Sequence, residues 1–430
     1  MTQASPAKRP PMLSTEQALD FLLTAARPVT EIETLATLDA HRRVLATGVT
    51  SPIDVPPMAI SAMDGYAVRR ADFAGGADAG GQPAGDVQRL PLRLPISQRI
   101  PAGHPAQALA PASAARIFTG ATVPPGADAV VMQEMATLEG DGVSFASSPQ
   151  AGEWITAQGA DIRAGAEILA AGRRLDAQAL GLAASVGCAT LPVLRRIKVA
   201  VFFTGDELTM PGEPLKPGAI YNSNRFTLRA LLENLGCEVS DFGIVPDQFA
   251  TTQATLREAA REHDLVLTSG GVSVGEEDHV RPAVESLGRL NLWQIAVKPG
   301  KPLAFGEIDR ADSSTCQPAY FIGLPGNPVS SFVTFLLFVR PFVLRLQGVT
   351  QVAPRVLKVR ADFTQAKADR RNEFLRARLN SDGGLDLFAN QSSAVLTSTV
   401  WGDGLIDNPP GHAIAAGEFV RFMPFSELLN

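Results

Sequence analysis

The stretch TSGGVSVGEED at 268–278 sets glycines and hydroxyls beside three consecutive carboxylates. Gly270 and Gly271 free the backbone to take positive φ and to approach a ligand closely. Their N–H groups, with the hydroxyls of Ser269 and Ser273, suit a phosphate. Glu276, Glu277 and Asp278 repel that same anion unless a divalent cation stands between them. For Glu276 and Glu277 the preferred reading is plainer: first-turn residues that complement a helix dipole. Asp278 is the better candidate for a metal ligand or base.

Four other loops carry comparable groups. In TGDEL at 204–208, Thr204 and Gly205 precede Asp206 and Glu207, which either cap the next segment or coordinate a metal. In VPDQ at 245–248, Asp247 is a turn former or a further ligand. KPGKP at 298–302 offers Lys298 and Lys301 on a turn stiffened by two prolines. Those lysines are either solvated or anion-binding. In LPGNPVSS at 324–331, Pro325 and Gly326 lead to Asn327, an N-cap candidate before Pro328 in a first helical turn. The same helix start, with Ser330 or Ser331, could instead hold a phosphate or a polar heterocycle.

The elements that position these loops alternate in type. Strand-like runs occupy 197–203, 238–245, 264–268, 292–297 and 320–323, and helical runs occupy 223–235, 250–262, 276–287 and 329–346. Such alternation predicts a three-layer, doubly wound parallel sheet with helices on both faces. In that architecture the carboxyl ends of the strands share one edge, where ligands bind. Five loops distant in sequence would therefore converge.

Outside this region, Ser14 and Gln17 form the capping-box pattern before a helix. Residues 52–149 consist of short apolar runs broken by Gly and Pro, a β-rich texture. Residues 74–86 read as a surface loop, and 151–194 are mixed, with no partner evident from pattern. Residues 351–430 alternate with period two in three runs, indicating a small β-module. Within the β-rich part, Asp64-Gly65 and Thr119-Gly120 read as turns.

Composition bounds the function. The chain has 430 residues, enough for two to four domains, and its 45% hydrophobic and 19% charged content describes a globular protein with ample core. A net charge of -6 argues against nucleic acid or an anionic membrane as main partner. Cys188, Cys237 and Cys316 are far apart and form neither a zinc nor a disulfide framework, which fits a reducing, cytoplasmic setting. The most apolar run, 332–339, is cut by Arg340-Pro341 and reads as a buried helix, well short of the ~20 residues a membrane span needs.

Taken in order, SAMDGYAV, RIFTGATVPPGADAVV, FTGDEL, YNSN, TSGGVSVGEEDHV, AVKPGKPLAFG and GLPGNPVSS resemble the molybdopterin molybdenumtransferase family, MoeA in bacteria and the gephyrin E-domain in animals. Each motif is weak alone, but the ordered set is specific, and the resemblance extends over roughly residues 12–425. The resemblance implies an α/β multidomain chain. An elongated N-terminal domain would comprise 11–51 and 150–194, and a β-rich inserted domain 52–149. A molybdopterin-binding α/β domain would follow at 195–346, then a C-terminal small β-barrel at 347–430. It implies insertion of molybdate into adenylylated molybdopterin, with release of AMP and with Mg²⁺ as cofactor. Asp64, Thr119, Glu207, Asp247, Asp278, Lys298 and Lys301 match residues the family uses at its active site. Asp247, Asp278 and Glu207 are the implied metal ligands. Arg376 and the Ser392–Ser393 pair match proposed molybdate-side contacts.

The resemblance also implies an elongated homodimer. There the β-rich module bearing Asp64 and Thr119 would face the α/β domain of the other subunit. Transient contact with other molybdenum cofactor enzymes would follow, and neither nucleic acid nor membrane is an expected partner. Two positions depart from the family pattern: Pro246-Asp247-Gln248 replaces a frequent Arg-Asp-Asp, and Ala394 stands where a basic residue often follows the serine pair. The alternatives are a free-standing molybdopterin adenylyltransferase, for which the chain is ~280 residues too long, and a non-catalytic dimeric scaffold.

Overall fold

The structure is a computed structural model describing residues 12–73, 91–271, 279–300, 302–310 and 317–429. Its first helix, Thr15–Ala25, starts as its capping box requires: the Ser14 hydroxyl accepts from Gln17 N at 3.1 Å, and Gln17 Oε1 accepts from Ser14 N at 2.9 Å. It buries Ala18 and Leu22 in the core of the α/β unit.

The partner of the mixed segment 151–194 is the chain near the N-terminus. Thr190–Leu194 pairs antiparallel with Ile32–Ala36 on one side and with Val44–Leu45 on the other. Glu167–Leu169 pairs with Val49–Thr50. Leu45, Val49, Leu169, Leu175, Leu191 and Val193 form the shared core. Between these halves lies a six-stranded sheet, in the order Ala129–Met132, Gly65–Val68, Ala114–Ile117, Leu92–Ile100, Gly142–Phe145 and Ala136–Glu139.

One turn expectation there is corrected. Gly65 opens a strand, and a Cβ on it would collide with the Val131 carbonyl of the neighbouring strand. The glycine is required by close backbone approach rather than by a turn. Thr119-Gly120 is the expected turn, with Gly120 at φ 79°.

In the α/β unit, Lys198–Thr204 is an interior strand, flanked on both sides, and both its faces are apolar. Val199, Val201 and Phe203 pack with Leu228, Leu232 and Phe342, while Ala200 and Phe202 pack on the other face with Leu256, Ala260 and Val284. The helices Ser223–Asn234 and Pro328–Leu346 cover the first face, and Phe249–Glu262 and Val280–Leu287 the second. The helical run Pro328–Leu346 is long and apolar enough to cross a membrane, yet 89% of it is buried inside the protein, so it is a core helix.

The sheet departs from the purely parallel expectation. Glu238–Val245, Lys198–Thr204, Leu265–Ser269 and Ala319–Leu324 are parallel, but Pro302–Ile308 and Gly288–Gln294 form an antiparallel hairpin at the edge. The strand expected at 292–297 ends earlier, at Gln294, and Pro302–Ile308 was not anticipated. The link 295–301 is shorter than the roughly dozen-residue crossover a parallel pair needs, so the strands must be antiparallel. Because the chain reverses twice, Gly288–Gln294 runs with the four parallel strands. Its link leaves at their carboxyl edge.

The C-terminal strands order as Val297–Lys298, Asn372–Leu379, Gly404–Asn408, Phe419–Pro424 and Leu357–Arg360. Leu385–Leu387 pairs with Asn372–Leu379, and a bridge from Ala361 to Leu385 returns to the end of Leu357–Arg360. That bridge closes a small barrel around Leu375, Leu385, Ile406 and Phe422.

Candidate active site

The loops leaving the carboxyl edge line one cleft of about 860 Å³. Gly205, Gly270 and Gly271 give one wall its shape, at φ 142°, 100° and 62°. A Cβ on Gly270 would meet the Thr204 carbonyl at 2.6 Å, and one on Gly271 would meet Thr204 Oγ1 at 2.7 Å. Glycine is therefore obligatory twice over, by conformation and by space. Thr204 is 3% exposed and lines the cleft, and its hydroxyl has no hydrogen-bond partner among the described residues.

Ser269 is placed differently from its expected ligand role. It is buried, donates to the Pro325 carbonyl at 3.0 Å, and accepts from Asn224 Nδ2 at 2.8 Å. Asn224 also donates to the Gly326 carbonyl at 2.8 Å. Together they tie the Ser269 loop to the Pro325-Gly326 loop, so Ser269 shapes the wall from behind. Asn224 is the last residue of YNSN, a motif to which sequence reasoning gave no role.

Pro325, Gly326, Asn327 and Ser330 line the cleft. Asn327 occupies the N-cap position before Pro328, but its side chain makes no capping bond among the described residues. The Val329 N–H instead donates to the Ser393 carbonyl at 3.0 Å. The barrel loop thus satisfies an orphan donor at the helix start and is seated beside it. Ser392, Ser393 and Gln391 line the cleft from that side.

Glu207 and Asp247 both line the cleft, the former exposed and the latter half-buried. Lys298 lines it too, and its ammonium donates to Glu373 Oε1 at 2.9 Å and lies 3.3 Å from Asp369 Oδ2. The hydrogen bond that Lys298 donates to Glu373, ahead of an opposing effect of burial, holds the Lys298 pKa above the ordinary lysine value. Arg371, absent from the sequence expectations, also lines the cleft and grips Asp369 through two bonds of 3.0 and 2.9 Å. That grip keeps the Asp369 carboxyl well below the usual carboxylate range. The signal available in sequence was a pair of arginines just before a strand, which is common on surfaces.

Arg376 does not line the cleft. It is fully buried, and it donates to Ser398 Oγ at 3.1 Å, the Phe374 carbonyl at 3.4 Å and the Ser392 carbonyl at 3.2 Å. Burial pushes its pKa down to about 10. It buttresses the Ser392 loop from below.

Asp64 and Thr119 are brought together but line no part of the cleft. Thr119 N and Oγ1 both donate to Asp64 Oδ1, at 2.7 and 2.8 Å. The backbone bond from Thr119 is the main cause that lowers the Asp64 pKa. Ser273, Asp278 and Lys301, with Glu276 and Glu277, lie outside the described residues.

A wound sheet whose carboxyl edge gathers glycine loops, carboxylates and a lysine, closed on one side by a small barrel, defines a class of multidomain α/β proteins with a ligand-binding edge cleft. Three family descriptions match the chain in order: the MoeA N-terminal region (domain I and II) at 13–187, a probable molybdopterin binding domain at 200–345, and the MoeA C-terminal region (domain IV) at 358–425. The chain is 39% identical to the molybdopterin molybdenumtransferase of Haemophilus influenzae over 97% of its own length and 100% of that protein. It is 38% identical to that of Nostoc sp. over 80% of this chain and 77% of the relative. A solved MoeA molybdopterin biosynthesis protein from Pyrococcus horikoshii superposes with a TM-score of 0.80 at 26% identity, covering 96% of this chain and 100% of that one. The chain belongs to the molybdopterin molybdenumtransferase family.

Proposed function

We propose that the protein transfers molybdenum to molybdopterin, taking adenylylated molybdopterin and molybdate and releasing AMP, as a transferase of molybdenum cofactor biosynthesis. The observation that carries this reading is the single cleft in which Thr204, the Gly270-Gly271 turn, Glu207, Asp247, Lys298 and the Ser392–Ser393 pair meet. The backbone N–H groups of the glycine wall bind and orient the phosphates. Lys298 and the two serines face it from the barrel side and receive the molybdate oxyanion. The sulfurs that take up molybdenum belong to the substrate, so no cysteine cluster is needed.

Mg²⁺ fits this donor set. Glu207 and Asp247 line the cleft that holds the glycine cradle, and Mg²⁺ is commonly held by one or two carboxylates together with phosphate oxygens and water. Among the described residues no group of three or more His, Cys, Asp or Glu side chains gathers, in the cleft or outside it, so phosphate oxygens and water would complete the shell. When bound, the ion neutralises phosphate charge at the bond that breaks. Asp278 joins these ligands in our reading, and Lys301 joins Lys298.

The same reading makes the working protein a cytoplasmic homodimer. Asp64 and Thr119 of one subunit complete the cleft of the other, and contact with other molybdenum cofactor enzymes is transient. Its parts are 11–51 with 150–194, 52–149, 195–346 and 347–430.

The test is AMP release from adenylylated molybdopterin by the purified chain with Mg²⁺. The expected result is turnover that requires molybdate and is inhibited by tungstate. Full-rate turnover without molybdate would overturn the assignment.

A further inference from the structure

Besides its Ser392 loop, the barrel meets the cleft along one short strand pair. Val297–Lys298 pairs in parallel with Asn372–Leu379, in a register that sets Lys298 beside Glu373. Asn372 N donates to the Ala296 carbonyl at 2.9 Å, and the Thr15 hydroxyl donates to Asn372 Oδ1 at 3.2 Å. Three parts of the chain are therefore locked at the point where Lys298 turns toward the cleft.

Glu373 is 1% exposed, the depth at which a carboxylate must be paired. Its described partners are the Lys298 ammonium at 2.9 Å and Asn408 Nδ2 at 3.4 Å. Lys298 keeps 38% of its side chain exposed toward the cleft. A flexible lysine anchored to a buried acid on one side and open on the other presents its charge at a fixed place. Asp369, itself held by Arg371, touches the same ammonium at 3.3 Å and completes the clamp.

The geometry points to Glu373 as a positioning residue: from the barrel it fixes the Lys298 ammonium at the oxyanion side of the cleft, with Asp369 as its second support. Glu373 reaches no lining position of its own. It acts through Lys298, and it makes the oxyanion site depend on docking of the barrel against the α/β unit. The identity of the oxyanion, molybdate, rests on the function proposed above. The clamp itself does not.

Two measurements on the full chain keep these apart. The first is competitive acetylation of Lys298 with acetic anhydride across pH 7–11, read by mass spectrometry. Glu373 and Asp369 are the carboxylates facing Lys298, and Arg371 is the neighbouring cation. Removing the Glu373 charge as Glu373→Gln should free the amine at lower pH and speed labelling about tenfold at pH 9. Glu373→Asp should restore much of the protection, and Asp369→Asn should shift labelling the same way but less. Unchanged labelling in both charge-removing variants would overturn the proposal. If Glu373→Gln fails to fold, Asp369→Asn decides it.

The second measurement is the steady state of AMP release. Glu373→Gln should raise the apparent molybdate KM roughly tenfold with kcat nearly kept, the pattern of lost binding rather than lost chemistry. A fall in kcat alone would assign Glu373 a purely structural role and overturn the proposal. Molybdate-independent release by the wild type would sink the transferase reading while leaving the acetylation result to judge the clamp.

Discussion

On the α/β wall of the cleft the protein presents mainly backbone, with the carboxylates of Glu207 and Asp247 at its margin. Gly205, Gly270 and Gly271 bring the chain close, and Thr204, Pro325 and Gly326 line what they leave open. On the barrel wall it presents charge and hydroxyls: Lys298 clamped by Glu373 and Asp369, Arg371 gripping Asp369, and Ser392 propped by buried Arg376. A backbone wall tolerates almost no added atom, because its shape is its function. A charged wall tolerates rearrangement better, since Lys298 has two carboxylate supports. The difference suits a ligand with two ends, a phosphate chain to be cradled and an oxyanion to be attracted.

Substitution on the backbone wall should be the most damaging. Gly271→Val meets Thr204 Oγ1 and Val280 Cγ2 and forces a β-branched residue to positive φ. We expect a loss of roughly 2–4 kcal/mol of stability and at least about a hundredfold fall in AMP release. A melting temperature and turnover near wild type would show that this wall yields after all, and the contrast would fail.

Arg376→Met tests the hidden support of the charged wall. It removes the guanidinium donor from the Ser392 and Phe374 carbonyls and the Ser398 hydroxyl, at a cost of about 2–3 kcal/mol in thermal or chemical unfolding. If Arg376 instead touched substrate directly, activity would fall with no change in the unfolding midpoint.

The smallest effect is expected at Arg371. Being partly exposed, its pairing with Asp369 is worth at most about 1 kcal/mol, so Arg371→Ala should melt close to wild type. Its mark is a pH dependence. The Asp369 pKa is lowered in the folded state, so the pair stabilises above the ordinary carboxylate pKa and loses its contribution as pH falls through the lowered value. The difference between Arg371→Ala and wild type should therefore shrink toward acid. A gap that widens there would assign the stabilisation to another group.

Several parts were legible from local chemistry. The capping box at Ser14 and Gln17 is a contact between residues three apart, and it forms as expected. Four of the five parallel-strand expectations hold, since continuous apolar runs alternating with helical periods carry their own signature. Pro302–Ile308 was missed because a leading proline and two charged neighbours mask a strand that needs its partners to form. Ser269 and Asn224 were misread and unread respectively, because a buried hydroxyl bonded across loops looks like one facing a ligand until the loops are in place.

Glycine at 270 and 271, the order of strands and helices, and the family motifs are properties of nearby residues, so the amino-acid sequence determined them unaided. Which charges share the cleft was decided only by tertiary structure. Lys298 meets Glu373 across 75 positions of chain, and Arg376 reaches Ser392 from beneath the barrel floor. Contacts of that span depend on the register of one strand against another, and no local propensity encodes it.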